Sequence, residues 1–442
     1  MSKGDGEGGS AYPKSVQAGI PKLSNPSGWP VVRIGDIFKV VQRPVDLQDD
    51  AEYQLVTAKR NRGGVVPRER LTGKAILTKS QFRIATGDFL ISRRQIAHGA
   101  CGIVPEELAG AIVSNEYATL LPTDLLDPGF MRHLPESIYF QQTCFHSSIG
   151  VHVEKLVFNL EDWRRWSIAV PEVNQQQRIA TVLDHWDDAL NQAHDLIRNR
   201  QRIRAAISRR TFPLFRDLRS LRPMSHFKIG SHAKVIRGIA YDPKNDIDPH
   251  GVGVLTAAHT QGGELFLEPE WTTVRAQIVR IEQCIQVGDF LIAMSNGSKN
   301  LVGKAGLVRN LPEKILGAGA FCATARPKNE SSRRILDHAF RSERYRELLH
   351  VALAGSSIGN LTETDLREFD FYWSGNQRDL EALDLIGQEI LEEIDRLTLL
   401  RRQKRGLMQK LLTGELPVPE SIDRLMPGGD AAATLAREAS AA

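Results

Sequence analysis

The chain is 442 residues long, 41% hydrophobic and 25% charged, with a formal net charge of +4. That length exceeds what one core usually serves, so two to three globular domains are expected, and the mild basicity is compatible with a polyanionic partner without requiring one. No apolar run approaches the roughly 18–20 residues that span a bilayer, which excludes a membrane helix. Four scattered cysteines, Cys101, Cys144, Cys284 and Cys322, form no CxxC pair and fit reduced thiols in a cytoplasmic protein.

Residues 1–27 are rich in Gly, Ser, Lys and Pro, lack the apolar stretch of a secretion signal, and read as a disordered tail. Residues 28–170 read as a globular unit with short strands at 31–34, 38–41, 89–91 and 102–104 between Gly, Pro and Asp punctuators. A helix is expected over 128–144, with Asp127 as its N-cap and Pro128 at its first position. Residues 171–215 form a helical region. There Ile179, Leu183, Trp186, Leu190, Ala193 and Ile197 alternate spacings of four and three, the seam of a coiled coil.

Residues 216–372 repeat the plan, with strands at 229–236, 252–255, 290–294 and 305–308 and a helix near 332–353. A second helical region at 373–418 carries the stripe Leu380, Leu383, Ile390, Ile394 and Leu397, resumed by Met408 and Leu411. Gly387 and Gly406 weaken it by about 1 kcal/mol each relative to Ala. Both helices turn basic toward their ends, through Arg198, Arg200, Arg202, Arg204, Arg209 and Arg210 in the first and Arg401, Arg402, Lys404, Arg405 and Lys410 in the second. These cations either complement the negative helix ends or form a strip facing phosphate or a partner. Residues 419–442 read as a second disordered tail.

The two globular units are copies. Ile34-Gly35 returns at Ile229-Gly230, Gly87-Asp88-Phe89-Leu90-Ile91 returns letter for letter at Gly288-Asp289-Phe290-Leu291-Ile292, and Ser147-Ser148-Ile149-Gly150 returns at Ser356-Ser357-Ile358-Gly359. The predicted class is α+β: two similar globular domains, separated by two long helices that pair as an antiparallel coiled coil. In the repeated strand, Gly allows the tight turn and Asp is expected to hold it by a local hydrogen bond.

Enzyme signatures are missing. The sequence holds no Walker loop, HExxH, GxSxG or dinucleotide GxGxxG, and no Asn/Asp-Pro-Pro-aromatic tetrapeptide for gripping a target amine. His98 and Cys101 have helical spacing but no second pair to complete a metal tetrahedron, so no metal is assigned. His146, His250 and His259 lie near polar partners, as chance provides among 12 histidines, and His146 has no counterpart in the second copy. The chain is therefore expected to do no chemistry alone. Its loops instead carry side chains suited to reading bases: Lys59, Arg60, Asn61, Arg62, Arg93, Arg94, Gln95 and His98 in the first copy. In the second they are His259, Gln261, Ser295, Asn296, Ser298, Lys299 and Asn300. Arg and Lys can bond guanine, Asn and Gln adenine, and Ser, Thr and Lys can position phosphates. Arg93-Arg94-Gln95 and Asn296-Gly297-Ser298 follow the same repeated strand, so the framework is kept while the tips differ.

These features, with Gln175-Gln176-Gln177-Arg178-Ile179-Ala180 after Pro171 and the ending Gln403-Lys404-Arg405-Gly406-Leu407-Met408-Gln409-Lys410-Leu411-Leu412-Thr413-Gly414, resemble the DNA specificity subunits of type I restriction–modification systems. The resemblance covers roughly residues 28–418. It implies that 28–170 and 216–372 are target-recognition domains, each reading half of a bipartite site in double-stranded DNA. It also implies that 171–215 and 373–418 set the spacer and dock two modification subunits. Catalysis would belong to partners: S-adenosylmethionine on the modification subunits for adenine N6 methylation, and ATP and magnesium for restriction subunits, with no cofactor on this chain. The first helical region departs from the pattern, ending Arg209-Arg210-Thr211-Phe212 without Leu-Leu-Thr-Gly, and its alignment to the second shifts by one heptad between Asp187/Asp395 and Ile207/Met408. Two other readings compete: a non-catalytic protein–protein scaffold with duplicated binding modules, and an enzyme with a site in a cleft between the units.

Overall fold

The computed structural model describes residues 21–150, 155–220, 224–261, 263–267, 270–354 and 359–426. The tail segments 1–20 and 427–442, and Ser356, Ser357 and Ile358 of the second repeated string, lie outside the described residues. The chain divides into two compact units, Met1–Ala193 with Arg396–Ala442, and His194–Asp395. Each unit takes part of both long helices, Val173–Thr211 and Gln377–Leu412. The helical regions are thus not domains apart from the globular bodies.

In the first unit, Val31–Arg33 pairs antiparallel with Ser167–Ala169. A four-stranded sheet runs in the order Phe38–Val40, Tyr117–Pro122, Phe89–Ser92, Cys101–Ile103. A second sheet, of five strands, includes the parallel pair Glu52–Ala58 and Ile112–Ser114. The repeated Phe-Leu-Ile is continuous because this strand is buried on both faces. Phe89 and Ile91 enter the main core, while Leu90 enters a smaller core with Val56, Val65, Ile84 and Val104. Around Phe89 the rings of Phe38, Phe140 and Trp163 pack with centroids 5.4–6.2 Å apart, stacked or edge-on as ring quadrupoles prefer.

The second unit is built the same way. Ser225–Lys228 pairs with Asp370–Trp373, and the main sheet begins Ala233–Arg237, Cys322–Pro327, Phe290–Ala293, Ala305–Leu307, the same order as in the first unit. It continues into Glu264–Leu265 and Thr260–Gln261. Phe290 and Ile292 face one core and Leu291 another. The stretch expected as one strand over 229–236 is instead a short helix, Ile229–His232, followed by the strand Ala233–Arg237. The short helix matches Ile34–Ile37 of the first copy, so the repeated Ile-Gly opens a helical turn in both.

The repeated aspartate holds its turn as expected. Asp88 accepts the Ala85 N–H at 2.7 Å and Asp289 accepts the Gln286 N–H at 2.8 Å. Each is also buried against an arginine, but the two arginines come from different places. Arg43 reaches Asp88 at 2.6 Å from just beyond Phe38–Val40. Arg326 reaches Asp289 at 2.8 Å from within Cys322–Pro327. By strand register, the position of Arg43 corresponds to Gly238, where an added Cβ would lie 1.9 Å from the Gly319 carbonyl oxygen. No side chain fits there, so the second copy draws its cation from the neighbouring strand.

Two helices expected as single rods are broken. Residues 128–144 form Pro128–His133, a 3-10 turn Leu134–Glu136 and Ile138–His146, because Pro135 cannot donate in a continuing ladder. Asp127 caps the first piece through Phe130 N–H, as read from the sequence. In the second unit the helix near 332–353 is Glu330–Arg341 followed by Glu343–Leu353, with the Ser342 hydroxyl accepting Tyr345 N–H to start the second piece.

Each body grips its own part of a long helix through a buried histidine. His133 Nε2 donates to Asp184 at 2.7 Å in the first unit, and His338 Nε2 donates to Asp384 at 2.7 Å in the second. Burial alone would raise Asp184 and Asp384, yet the histidine hydrogen bonds together with Arg132 and Arg334 hold both below the ordinary aspartate value. Residues of the apolar stripes enter the globular cores. Ile179 and Leu183, with Met408 and Leu411, are in the first body's main core, and Leu380 and Leu383 are in the second's. Ala193, Ile197, Ile390 and Leu397 are buried, Trp186 and Leu190 are half-buried, and Ile394 departs from the stripe at 41% exposed. Part of each expected tail also packs: Leu23 and Ile422 lie against the first core, and Arg178 clasps Asp423 at 2.6 Å.

Candidate nucleic-acid interface

In the first unit the two segments with base-reading chemistry meet. The strands Glu52–Ala58 and Val65–Thr72 are joined by a tip at 59–64, where Lys59 N–H donates to Gly64 O at 2.9 Å. Asn61 and Arg62 take left-handed backbone, φ 56° and 58°, a region asparagine tolerates better than most side chains. That conformation aims Asn61 N–H at His98 O and Arg62 N–H at Gly99 O, both 2.8 Å, which clamps the tip onto the 93–99 loop. Lys59, Arg60 and Asn61 are exposed, and Arg60 Nε donates to Gln95 Oε1 at 2.8 Å. Arg94 is exposed and paired with Glu116 at 2.6 Å, which holds the Glu116 carboxyl below its usual range. Two assigned residues point elsewhere. Arg62 turns inward to Glu136 at 2.8 Å, and His98, at 4% exposure, belongs to the interior. Arg93 is half-buried, and its backbone ties Glu116 and Phe158.

In the second unit His259, 2% exposed, is also interior: its Nδ1 accepts Thr256 N–H at 3.0 Å and closes a short helical turn. Ser295 is held by Phe321 O at 3.1 Å. Asn296 accepts Ser298 N–H at 2.9 Å, a local turn that presents Ser298 and Asn300 to solvent. The side chains of Gln261 and Lys299 lie outside what is described. The correspondence between tips holds, since a 3-10 turn follows the repeated strand in both copies, Ile96–His98 and Lys299–Leu301.

Sequence reasoning missed Arg68 and Arg70, exposed on the strand beside the first tip. The alternation Arg68-Glu69-Arg70 after an apolar start was the available signal. Among the described residues, one grouping has metal-like spacing, His133 with Asp184 and Asp187. Arg132 bonds Asp184 at 2.5 Å and Lys404 bonds Asp187, so both carboxylates already have cations. All four cysteines are free, and burial pushes Cys101 up to about 12. No helix of the described residues is long and apolar enough to cross a membrane.

The fold is that of a duplicated α+β protein, in which each body grips helix and each ends its repeated strand in a polar tip. Residues 26–198 match the family model described as the type I restriction modification DNA specificity domain. That match spans the first globular body and runs a few residues past Ala193, and the chain resembles the specificity subunits of type I restriction–modification systems. Over 130 residues it is 32% identical to the type I restriction enzyme StySPI specificity subunit of Salmonella potsdam and 31% identical to the EcoKI specificity subunit of Escherichia coli K12. Those alignments cover 29% of this chain and 27% of each relative, so the chain spans about a quarter of the length of the curated relatives it matches. Among solved structures, the type I S subunit of M. genitalium superposes with a TM-score of 0.54 at 16% identity, covering 89% of this chain and 99% of that one. A chain from a structure described as underlying complex assembly and conformational transition of the type I restriction–modification system gives 0.56 at 17% identity, covering 89% and 100%. These likenesses show the fold.

Proposed function

We propose that this chain is the non-catalytic DNA-reading subunit of a cytoplasmic type I restriction–modification complex, with each unit reading one half of a split site in double-stranded DNA. The observation that carries this is a conserved frame with divergent tips. Both copies keep the sheet order, the buried aspartate and the 3-10 turn, yet one presents Lys59-Arg60-Asn61 with Gln95 and the other Asn296-Gly297-Ser298 with Asn300. Fixed scaffolds with variable polar loops suit recognition of two different sequences.

The long helices, of 39 and 36 residues, would extend about 58 and 54 Å at ~1.5 Å per residue. We read them as an antiparallel coiled coil that sets the gap between half-sites. Within the second unit, Arg200 and Arg210 of the first helix bond Glu389 at 2.8 Å and Asp379 at 2.5 Å of the second, an order that runs opposite ways along the two. Within the first, Lys404 bonds Asp187. Two modification subunits docked on the helices would supply S-adenosylmethionine and methylate adenine N6. Restriction subunits would supply ATP and magnesium chemistry, and this chain would bind no cofactor for the reaction.

The test is genome-wide mapping of methylated adenines with and without this gene, then with each unit exchanged. Loss of a bipartite motif on deletion, one altered half-site per exchanged unit, and an altered gap on insertion of a helical heptad are expected. DNA protected as one unsplit site, or no sequence preference at any salt, would favour a protein scaffold instead.

A further inference from the structure

The duplication exposes a difference that DNA reading does not require. Each copy places a left-handed glycine just before the third of its matched strands: Gly99 at φ 75° and Gly303 at φ 79°. In the first copy the hairpin tip fills the space beside this glycine. Gly102 lies against Gly64, Arg62 Nη1 sits 3.2 Å from where a Gly99 Cβ would be, and Arg62 is neutralised by Glu136. In the second copy Gly306 lies against Glu264 in the same way, but the matching turn brings Gly263 rather than an arginine. The residue in the place of Glu136 is Arg341, which is taken up by Asp337 at 2.7 Å and Glu264 at 2.8 Å.

What remains is a cleft of about 480 Å³ within the second unit, inside the size range of small-molecule sites. Its walls are largely apolar, from Val302, Phe340, Tyr345 and Leu349, with Thr260 and Asn300 as polar groups. Every charged group lining it is a cation: Arg204, Lys304, Arg341 and Arg346. Among the described residues Arg204, Lys304 and Arg346 make no ion pair, unlike Arg198, Arg200, Arg209 and Arg210 of the same basic helix end as Arg204. Burial first, and the neighbouring Arg341 after it, press the Arg204 pKa down, although Asp337 and Glu264 pull it the other way.

We propose that this cleft binds a small organic oxyanion, a phosphate or carboxylate carried on an apolar body. Arg204, Lys304 and Arg346 would bind the anionic group and the Val302–Leu349 wall the body. Three cations from separate segments line this one cleft without a carboxylate among its lining residues, and guanidinium groups offer the fork that oxyanions accept. The apolar wall gives an organic ligand an advantage that a bare inorganic anion cannot use.

The test is calorimetric titration of the full chain with phenyl phosphate, benzoate, inorganic phosphate and phenol. Phenyl phosphate or benzoate is expected to bind about tenfold more tightly than inorganic phosphate, and the better of the two identifies the head group. Arg204→Ala should weaken that binding about tenfold. The doubly exposed variant Lys304→Gln/Arg346→Gln, which leaves the packed wall intact, should weaken it severalfold with an unchanged circular dichroism spectrum. Binding unaffected by both variants, or no gain from the apolar body, overturns the proposal. So does binding of duplex DNA alone through these residues, which would make them backbone-phosphate contacts.

Discussion

Replacing Asp289 by Asn tests the account of the repeated strand most directly. The carboxylate is 2% exposed and accepts from Gln286 N–H, from Arg326 Nε at 3.0 Å and from Arg326 Nη2 at 2.8 Å. Removing one partner of a buried ion pair costs about 3–5 kcal/mol when the other is left without compensation. Arg326 is 21% exposed and keeps the Cys284 carbonyl at 2.6 Å, so water and that carbonyl recover part of the loss. The expected destabilisation of the second unit is about 2–4 kcal/mol. Asp88→Asn should cost the first unit less, about 1–3 kcal/mol, because Arg43 is 34% exposed and rehydrates more easily. Two units need not unfold together, so the measurement is denaturant-dependent hydrogen exchange with each unit's amides followed separately. A loss below about 0.5 kcal/mol in the second unit, within the range of ordinary surface substitutions, would refute the reasoning. So would a larger loss for Asp88→Asn than for Asp289→Asn.

Asp384 is held below its ordinary value of 3.8 in the folded state, so its contribution is fully present above the unfolded aspartate value and is lost as pH falls through the lower folded one. Thermal melts of the second unit between pH 5 and pH 2 should lose stability in that window, and Asp384→Asn should flatten the slope; an unchanged slope would contradict the His338 contact. Lys59→Ala, exposed at the first tip, should lower DNA affinity across sequences and reduce the salt slope by about 1 if it meets a phosphate, as read by fluorescence anisotropy at several salt concentrations. Leu183→Ala, fully buried in the first core, should cost about 2–5 kcal/mol; urea denaturation followed at the first unit should find it, with the second unit unaffected.

Much of the frame was legible because duplication doubles each signal. Gly87-Asp88-Phe89 and Gly288-Asp289-Phe290 announced the same turn and strand, and Asp127 before Pro128 announced a helix start. The arginines opposite the two aspartates were not legible, since strand pairing brings them from 45 and 37 residues away. The helix breaks at Pro135 and Ser342 could have been read, because each residue favours a helix start over an interior. At the tips, residue type alone misassigned two histidines. His98 lies in the run Ile96-Ala97-His98-Gly99-Ala100-Cys101, whose apolar flanks point to the interior. His259 follows Thr256 by three residues, the spacing of a local cap. The cations of the second unit's cleft come from three distant stretches, which only folding gathers.

The unequal origin of the two arginines bears on how such chains can be shuffled. A crossover placed between residues 43 and 88, or between 289 and 326, hands one copy's aspartate to the other copy's surroundings. There the Arg43 position is a glycine that admits no side chain, and the Arg326 position, matched by strand register, is Leu121. At each junction one of the two reciprocal hybrids carries a buried anion that meets neither arginine and folds poorly, whereas a stretch transferred whole brings its own pair with it. Viable recombinants should therefore inherit these stretches as indivisible blocks, with their junctions clustered outside them.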